Sequence, residues 1–114
     1  MRENIALHQG ACIIALDDHN NAIGFITGWL EGGDGLDSGN YHSGGISDVF
    51  VLLNWRGQGV FTAMLAEMAA HFRAQGMTRM ETYTLGMNRA MQDILARSGF
   101  APHKVYYEIS LNAP

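Results

Sequence analysis

With 114 residues, 47% hydrophobic and 16% charged, the chain has the make-up of one globular domain and not of a disordered or collagen-like segment. Its one cysteine excludes an internal disulfide and a four-cysteine zinc site. The net charge of −4 comes with no basic stripe interleaved with aromatics, which argues against a nucleic-acid partner.

At the N-terminus, Glu3 and His8 interrupt the apolar stretch that a signal peptide would need, so a cytoplasmic protein is expected. The longest apolar runs, Ala11 to Leu16 and Val49 to Leu53, fall far short of the ~18 residues that cross a bilayer. Gly10 to Leu16 and Ala22 to Leu30 are apolar runs around an Asp/Asn-rich turn, which predicts a β-hairpin. Glu31 to Gly45 is polar and rich in glycine, so it reads as a loop. Seven of the fourteen glycines lie from Gly28 to Gly45. Ile46 to Leu53 is β-branched and aromatic, the pattern of a strand buried on both faces.

After Asn54-Trp55-Arg56-Gly57-Gln58-Gly59, the apolar positions Val60, Phe61, Met64, Leu65, Met68, Ala69 and Phe72 form one helical stripe, closed by Gly76. Met77 to Leu85 predicts a strand, Asn88 the N-cap of a helix that Gly99 ends, and Val105 to Leu111 a last strand. The order is β, β, β, helix, β, helix, β, a mixed α/β sheet with helices on its faces. The strand–helix–strand unit implies parallel pairing of the third and fourth strands. No linker or repeat divides residues 1–114, which are read as a single domain.

The segment from Ile46 to Met64 carries the chemistry. A glycine-bearing turn leading straight into a helix aims unpaired N–H groups and the positive end of the helix dipole at one spot, a cradle for pyrophosphate. Gly57 and Gly59 would let the backbone close on phosphates, and Arg56 would add charge. The turn lacks the Lys-Ser/Thr of a P-loop and the glycine spacing of a dinucleotide fingerprint.

Arg56-Gly57-Gln58-Gly59 behind Asp48-Val49-Phe50-Val51, with Asn88 leading over one helix to Gly99-Phe100, resembles the GNAT superfamily of acyl-CoA N-acyltransferases. The hairpin from Cys12 to Leu30 is similar to that family's central hairpin, and the likeness extends over roughly residues 10–111. It implies a GNAT-like, mostly antiparallel mixed sheet with a parallel strand–helix–strand unit and two helices. It also implies acetyl-CoA as co-substrate and direct acetyl transfer to the primary amine of a small molecule. By the same resemblance, amides of Gln58, Gly59, Val60 and Phe61 would hold the pyrophosphate. Backbone groups of Phe50, Val51 and Leu52 would pair with the pantetheine arm, and one amide there would polarise the thioester carbonyl. Asn88 is placed like the family residue that contacts pantetheine or orders active-site water.

Three positions depart from the family pattern: Phe61 stands where glycine or alanine is usual, Leu53 where proline is common, and Leu95 where many members carry a tyrosine general acid. That leaves water, Tyr83, Tyr106 or Tyr107 to protonate the departing thiolate. Asp48 is the candidate general base, since an attacking amine must lose a proton, with His42 the alternative. The acidic first half (one arginine against seven carboxylates up to residue 55) suits a cationic acceptor. The other histidines show no metal-like spacing, so no metal is expected. Met1 to Gln9 leaves no room for the strand and two helices that precede the hairpin in the family, which predicts a bare strand edge and a homodimer that covers it. The rival functions are a non-catalytic acyl-CoA-binding module on the same scaffold and an interaction domain in which the glycine turn is only a helix cap.

Overall fold

Residues 2–7, 10–32, 42–84, 86–103 and 107–112 are described by the computed structural model. They divide into two compact units, residues 1–83 and 84–114.

The first unit is a five-stranded sheet in the order β1-β2-β3-β4-β5. Strand β1 (Arg2–Leu7) corrects the expectation that the N-terminal strand is absent: it pairs antiparallel with β2 (Gly10–Leu16) from Arg2↔Ala15 to Leu7↔Gly10. The edge of β2 is therefore covered by this chain, and the case for a second copy completing the sheet there loses its footing. Strand β2 alternates half-buried and buried residues, with Ala11, Ile13 and Ala15 inward.

The predicted hairpin joins β2 to β3 (Ala22–Gly32). Its turn is held by Asp17, whose Oδ1 accepts the N–H groups of His19 (2.8 Å) and Asn21 (2.9 Å). Asn20 adopts the left-handed region at φ 64°, which asparagine tolerates better than most residues. Hydrogen bonding, first from the Asn21 N–H, holds the Asp17 carboxyl below its ordinary value.

Strand β4 (His42–Val51) begins earlier than predicted, and β3 runs on to Gly32, so the loop from Glu31 to Gly45 is shortened at both ends. Gly44 and Gly45 lie in β4 for a packing reason. A Cβ at Gly44 would collide with the Phe72 ring, and one at Gly45 would stand 2.9 Å from Trp29. These glycines admit aromatic rings to the strand, a role their neighbours in sequence do not reveal.

Helix α1 (Val60–Ala74) buries Met64, Leu65, Met68 and Phe72 against β2, β3 and β4. Each such side chain contributes roughly 1.5–3 kcal/mol when fully buried. The helix crosses over to β5 (Arg79–Glu81), which pairs parallel with β4 through Ser43↔Arg79, Gly44↔Met80 and Gly45↔Glu81. This is the expected parallel unit, although the strand predicted from Met77 to Leu85 is realised over three residues.

In the second unit, α2 (Arg89–Arg97) starts at Asn88, whose side chain accepts the Met91 N–H at 3.1 Å. Such a cap is worth about 1 kcal/mol. Among the described residues 107–112 there is no strand, although the sequence predicts one from Val105 to Leu111, a stretch in which Tyr107, Ile109 and Leu111 alternate with polar residues. These three side chains are largely exposed, and alternation marks the sides of an extended segment without supplying a partner.

Candidate functional site

Among the described residues, strand β4 is paired on both sides only in its first part. Residues Ser43 to Gly45 lie between β3 and β5, and the Thr82 hydroxyl donates to the Ile46 carbonyl at 3.3 Å. Beyond that point, among the described residues, β4 pairs with β3 alone as far as Val51. The change coincides with a bulge: Gly28 lies opposite Ile46 and Thr27 opposite Asp48, leaving Ser47 as an extra residue.

Backbone groups along a strand alternate in direction. The Asp48 N–H donates to Thr27 Oγ1 (3.1 Å) and the Leu52 N–H to the Ile23 carbonyl (2.8 Å), so both point toward β3. Phe50 follows the same sense. The N–H and C=O groups of Val49 and Val51 thus face the open side. The Val51 carbonyl there accepts the Arg56 Nε–H at 2.8 Å, and the guanidinium stands 5.7 Å from the centroid of the Phe50 ring. Of the three residues expected to offer backbone groups along this edge, Val51 faces it, and Val49 joins it.

The strand runs into a short 3-10 turn, Leu53–Trp55, and then into Arg56-Gly57-Gln58-Gly59. Gly57 (φ 77°) and Gly59 (φ 87°, ψ 5°) both occupy the left-handed region. A Cβ at either would meet nothing within 4 Å, so the backbone angle and not space calls for glycine. Gly59 is the N-cap of α1; no side chain caps the helix and no acidic residue lies in its first turn. The first intrahelical bond is Ala63 N–H to Gly59 C=O (3.0 Å). The N–H groups of Val60, Phe61 and Thr62 precede it and lack intrahelical partners. Gln58 braces the turn by donating to the Asn54 carbonyl at 2.8 Å. A left-handed glycine pair ahead of a helix of fifteen residues forms an anion-accepting concavity.

Asp48 is exposed and lies on the sheet face turned away from α1. The Thr27 hydroxyl accepts the Asp48 N–H and donates to its carboxylate Oδ2 at 3.5 Å, so one side chain fixes both ends of the candidate base. Tyr83, two residues beyond the end of β5, is 89% exposed. The turn, the open edge, Asp48 and Tyr83 all belong to the first unit. Asn88 and Leu95 belong to the second, where the Asn88 side chain caps α2 and Leu95 is half-buried. Tyr106, Asp34, Asp37 and the His42 side chain lie outside the described residues.

Sequence reasoning missed Thr27 and Val49. Their roles depend on which residues stand opposite one another, and the Ser47 bulge sets that register. Among the described residues, no three His, Cys, Asp or Glu side chains gather as a metal site would require, and no helix is long and apolar enough to cross a membrane. The turn can take a polyanion, and the open edge can pair with an extended amide-bearing chain.

Comparison with known proteins agrees with this geometry. The model of the Acetyltransferase (GNAT) family matches residues 1–100. Among solved structures, the aminoglycoside N-acetyltransferase AAC(6')-Iy in complex with CoA superposes with a TM-score of 0.75 at 22% identity, covering 91% of this chain and 78% of that one. AAC(6')-Ih from Acinetobacter baumannii gives 0.74 at 15% identity, covering 93% and 74%. The BH1408 protein from Bacillus halodurans, as a tetramutant, gives 0.83 at 16% identity, covering 90% and 67%. At these identities the structures establish a shared fold. No curated protein matches in sequence.

Proposed function

The chain belongs to the acetyltransferase (GNAT) family, and from that premise we propose that it moves the acetyl group of acetyl-CoA directly onto a primary amine of a small molecule. The observation that carries this reading is the Arg56–Phe61 turn, where two left-handed glycines and an uncapped helix start meet the half-open strand β4. The residues present fit acetyl-CoA. Amides of Gln58, Gly59, Val60 and Phe61 would bind its pyrophosphate, with Gly57 shaping the turn and Arg56 adding charge. Two CoA complexes among the structural neighbours, of an aminoglycoside acetyltransferase, support the same co-substrate and an amine acceptor.

Acetyl-CoA supplies an activated thioester. Along the open edge of β4, the Val49 and Val51 N–H groups would pair with its amide arm, and one would polarise the thioester carbonyl. Phe50 and Leu52 would contribute side chains there. Arg56 would release the Val51 carbonyl as the arm pairs with the edge. Asp48, oriented by Thr27, would accept a proton from the attacking amine. As the new C–N bond forms and the C–S bond breaks, Tyr83 would protonate the sulfur, since Leu95 has no proton to give.

Thiol release from acetyl-CoA across a panel of amines tests the reading. Asp48→Asn should lower turnover roughly 10²- to 10⁴-fold, the span of general-base catalysis; undiminished turnover removes Asp48 from its role. Tight CoA binding with no thiol release on any amine would make the chain an acyl-CoA-binding module. No thermal shift with acetyl-CoA would reduce the glycine turn to a helix cap.

A further inference from the structure

On the sheet face turned away from α1, the side chains of Cys12, Ile14, Ile23, Phe25, Phe50 and Leu52 line an open groove of about 400 Å³. Clefts of roughly 300–1,000 Å³ are the usual size for small ligands. Phe25 and Phe50 lie directly opposite one another in β3 and β4, their ring centroids 6.0 Å apart and inclined by 30°. Each ring is more than a third exposed, so the pair forms a platform with open area. Two residues along in each strand, on the same face, stands the Thr27–Asp48 pair. Two residues of strand span roughly 7 Å. An exposed carboxylate thus lies about one short linker from an aromatic platform.

Resting on the reading of Asp48 as the base, we infer that this groove holds the body of the acceptor, which is therefore an arylalkylamine: a flat apolar ring joined to a primary amine by about two carbons. The ring would lie against Phe25 and Phe50 and the amine beside Asp48. Charge sets the direction of binding. Arg56 stands over Phe50 and repels an ammonium from that side, while Asp48 attracts it from the other. A polyamine fits worse, because its second cation would lie against apolar walls and lose hydration without a partner.

Cys12 is the one cysteine of the chain and half-buried in the groove wall, so its alkylation by iodoacetamide reports occupancy without any acetyl transfer. At ten times its dissociation constant, 2-phenylethylamine should slow Cys12 labelling about tenfold by mass action, while ethylamine and spermidine at the same concentration leave it unchanged. Phe50→Ala should abolish the protection. Leu52→Ser, at an exposed rim position, should weaken it, and its melting temperature shows whether that variant is folded. Equal protection by ethylamine, or none by 2-phenylethylamine, overturns the assignment. So does labelling that slows with protein concentration alone, which gives the groove to a second copy of the chain. The two readings fail separately. Protection without thiol release keeps the groove and removes the acetyltransferase reading; thiol release with several amines and no protection does the reverse.

Discussion

Toward α1, strands β2, β3 and β4 present Ala11, Ile13, Ile26 and Ile46, all buried, with Gly28 and Gly44 admitting the Phe72 ring between them. Toward the other face the same strands present Cys12, Ile14, Phe25 and Phe50, which remain half-buried or exposed. Both faces are apolar, so composition does not separate them. Space around the rings does: on the α1 face a Cβ added at Gly28 or Gly44 meets the buried Phe72 ring, while on the other face the Phe25 and Phe50 rings keep open area. A face filled to that density is specified by packing, and a face that keeps apolar surface open has room for a ligand.

Phenylalanines on the two faces give the sharpest way to break this contrast. Phe72→Ala, which empties a site 3% exposed, should lower unfolding free energy by about 3–5 kcal/mol in urea titration. Gly44→Ala adds a carbon where the Phe72 ring already sits and should cost about 1–3 kcal/mol by the same measurement. Phe25→Ala removes a ring already 38% exposed, so about 1–2 kcal/mol is expected. A loss equal to that of Phe72→Ala would mean the two faces are packed alike.

Gly59→Ala tests the turn at the end of β4. The left-handed angle there should cost a non-glycine residue about 1–2 kcal/mol, and the thermal shift given by acetyl-CoA should shrink with it. The smallest effect belongs to the hairpin. Hydrogen bonds hold the Asp17 carboxyl below its ordinary value of 3.8 in the fold, so it stabilises above that pH and the contribution is lost as pH falls through the folded value. Asp17→Asn should melt slightly below the wild type at pH 7, and the gap should narrow as the pH is taken below the ordinary carboxyl value of 3.8.

Helix α1, its glycine turn, the Asn88 cap and the Asp17 turn were legible because each is written in neighbouring residues. Features that depend on distant partners were not. Gly44 and Gly45 look like loop glycines until Phe72 and Trp29 are placed against them. Arg2–Leu7 has neither clean alternation nor a turn signal, and it becomes a strand by pairing with β2. Tyr107 to Leu111 has the alternation, yet the described residues there form no ladder. Asp48 could be chosen by its chemistry, but its partner Thr27 could not, because one bulge decides which residue stands opposite.

That bulge gives Ser47 a weight its small side chain would not suggest. A strand is a two-beat pattern, and Ser47 is the extra beat that resets it, so Asp48 and Phe50 fall on the open face while Val49 and Val51 turn toward α1. Were Ser47 to take an ordinary place in the ladder instead of bulging out of it, β4 would be out of step beyond Ile46. A carboxylate and an aromatic ring would be driven against Met64, and two valines would face outward in their place. The division of labour between the two sides of the sheet is thus kept by one residue standing outside the ladder.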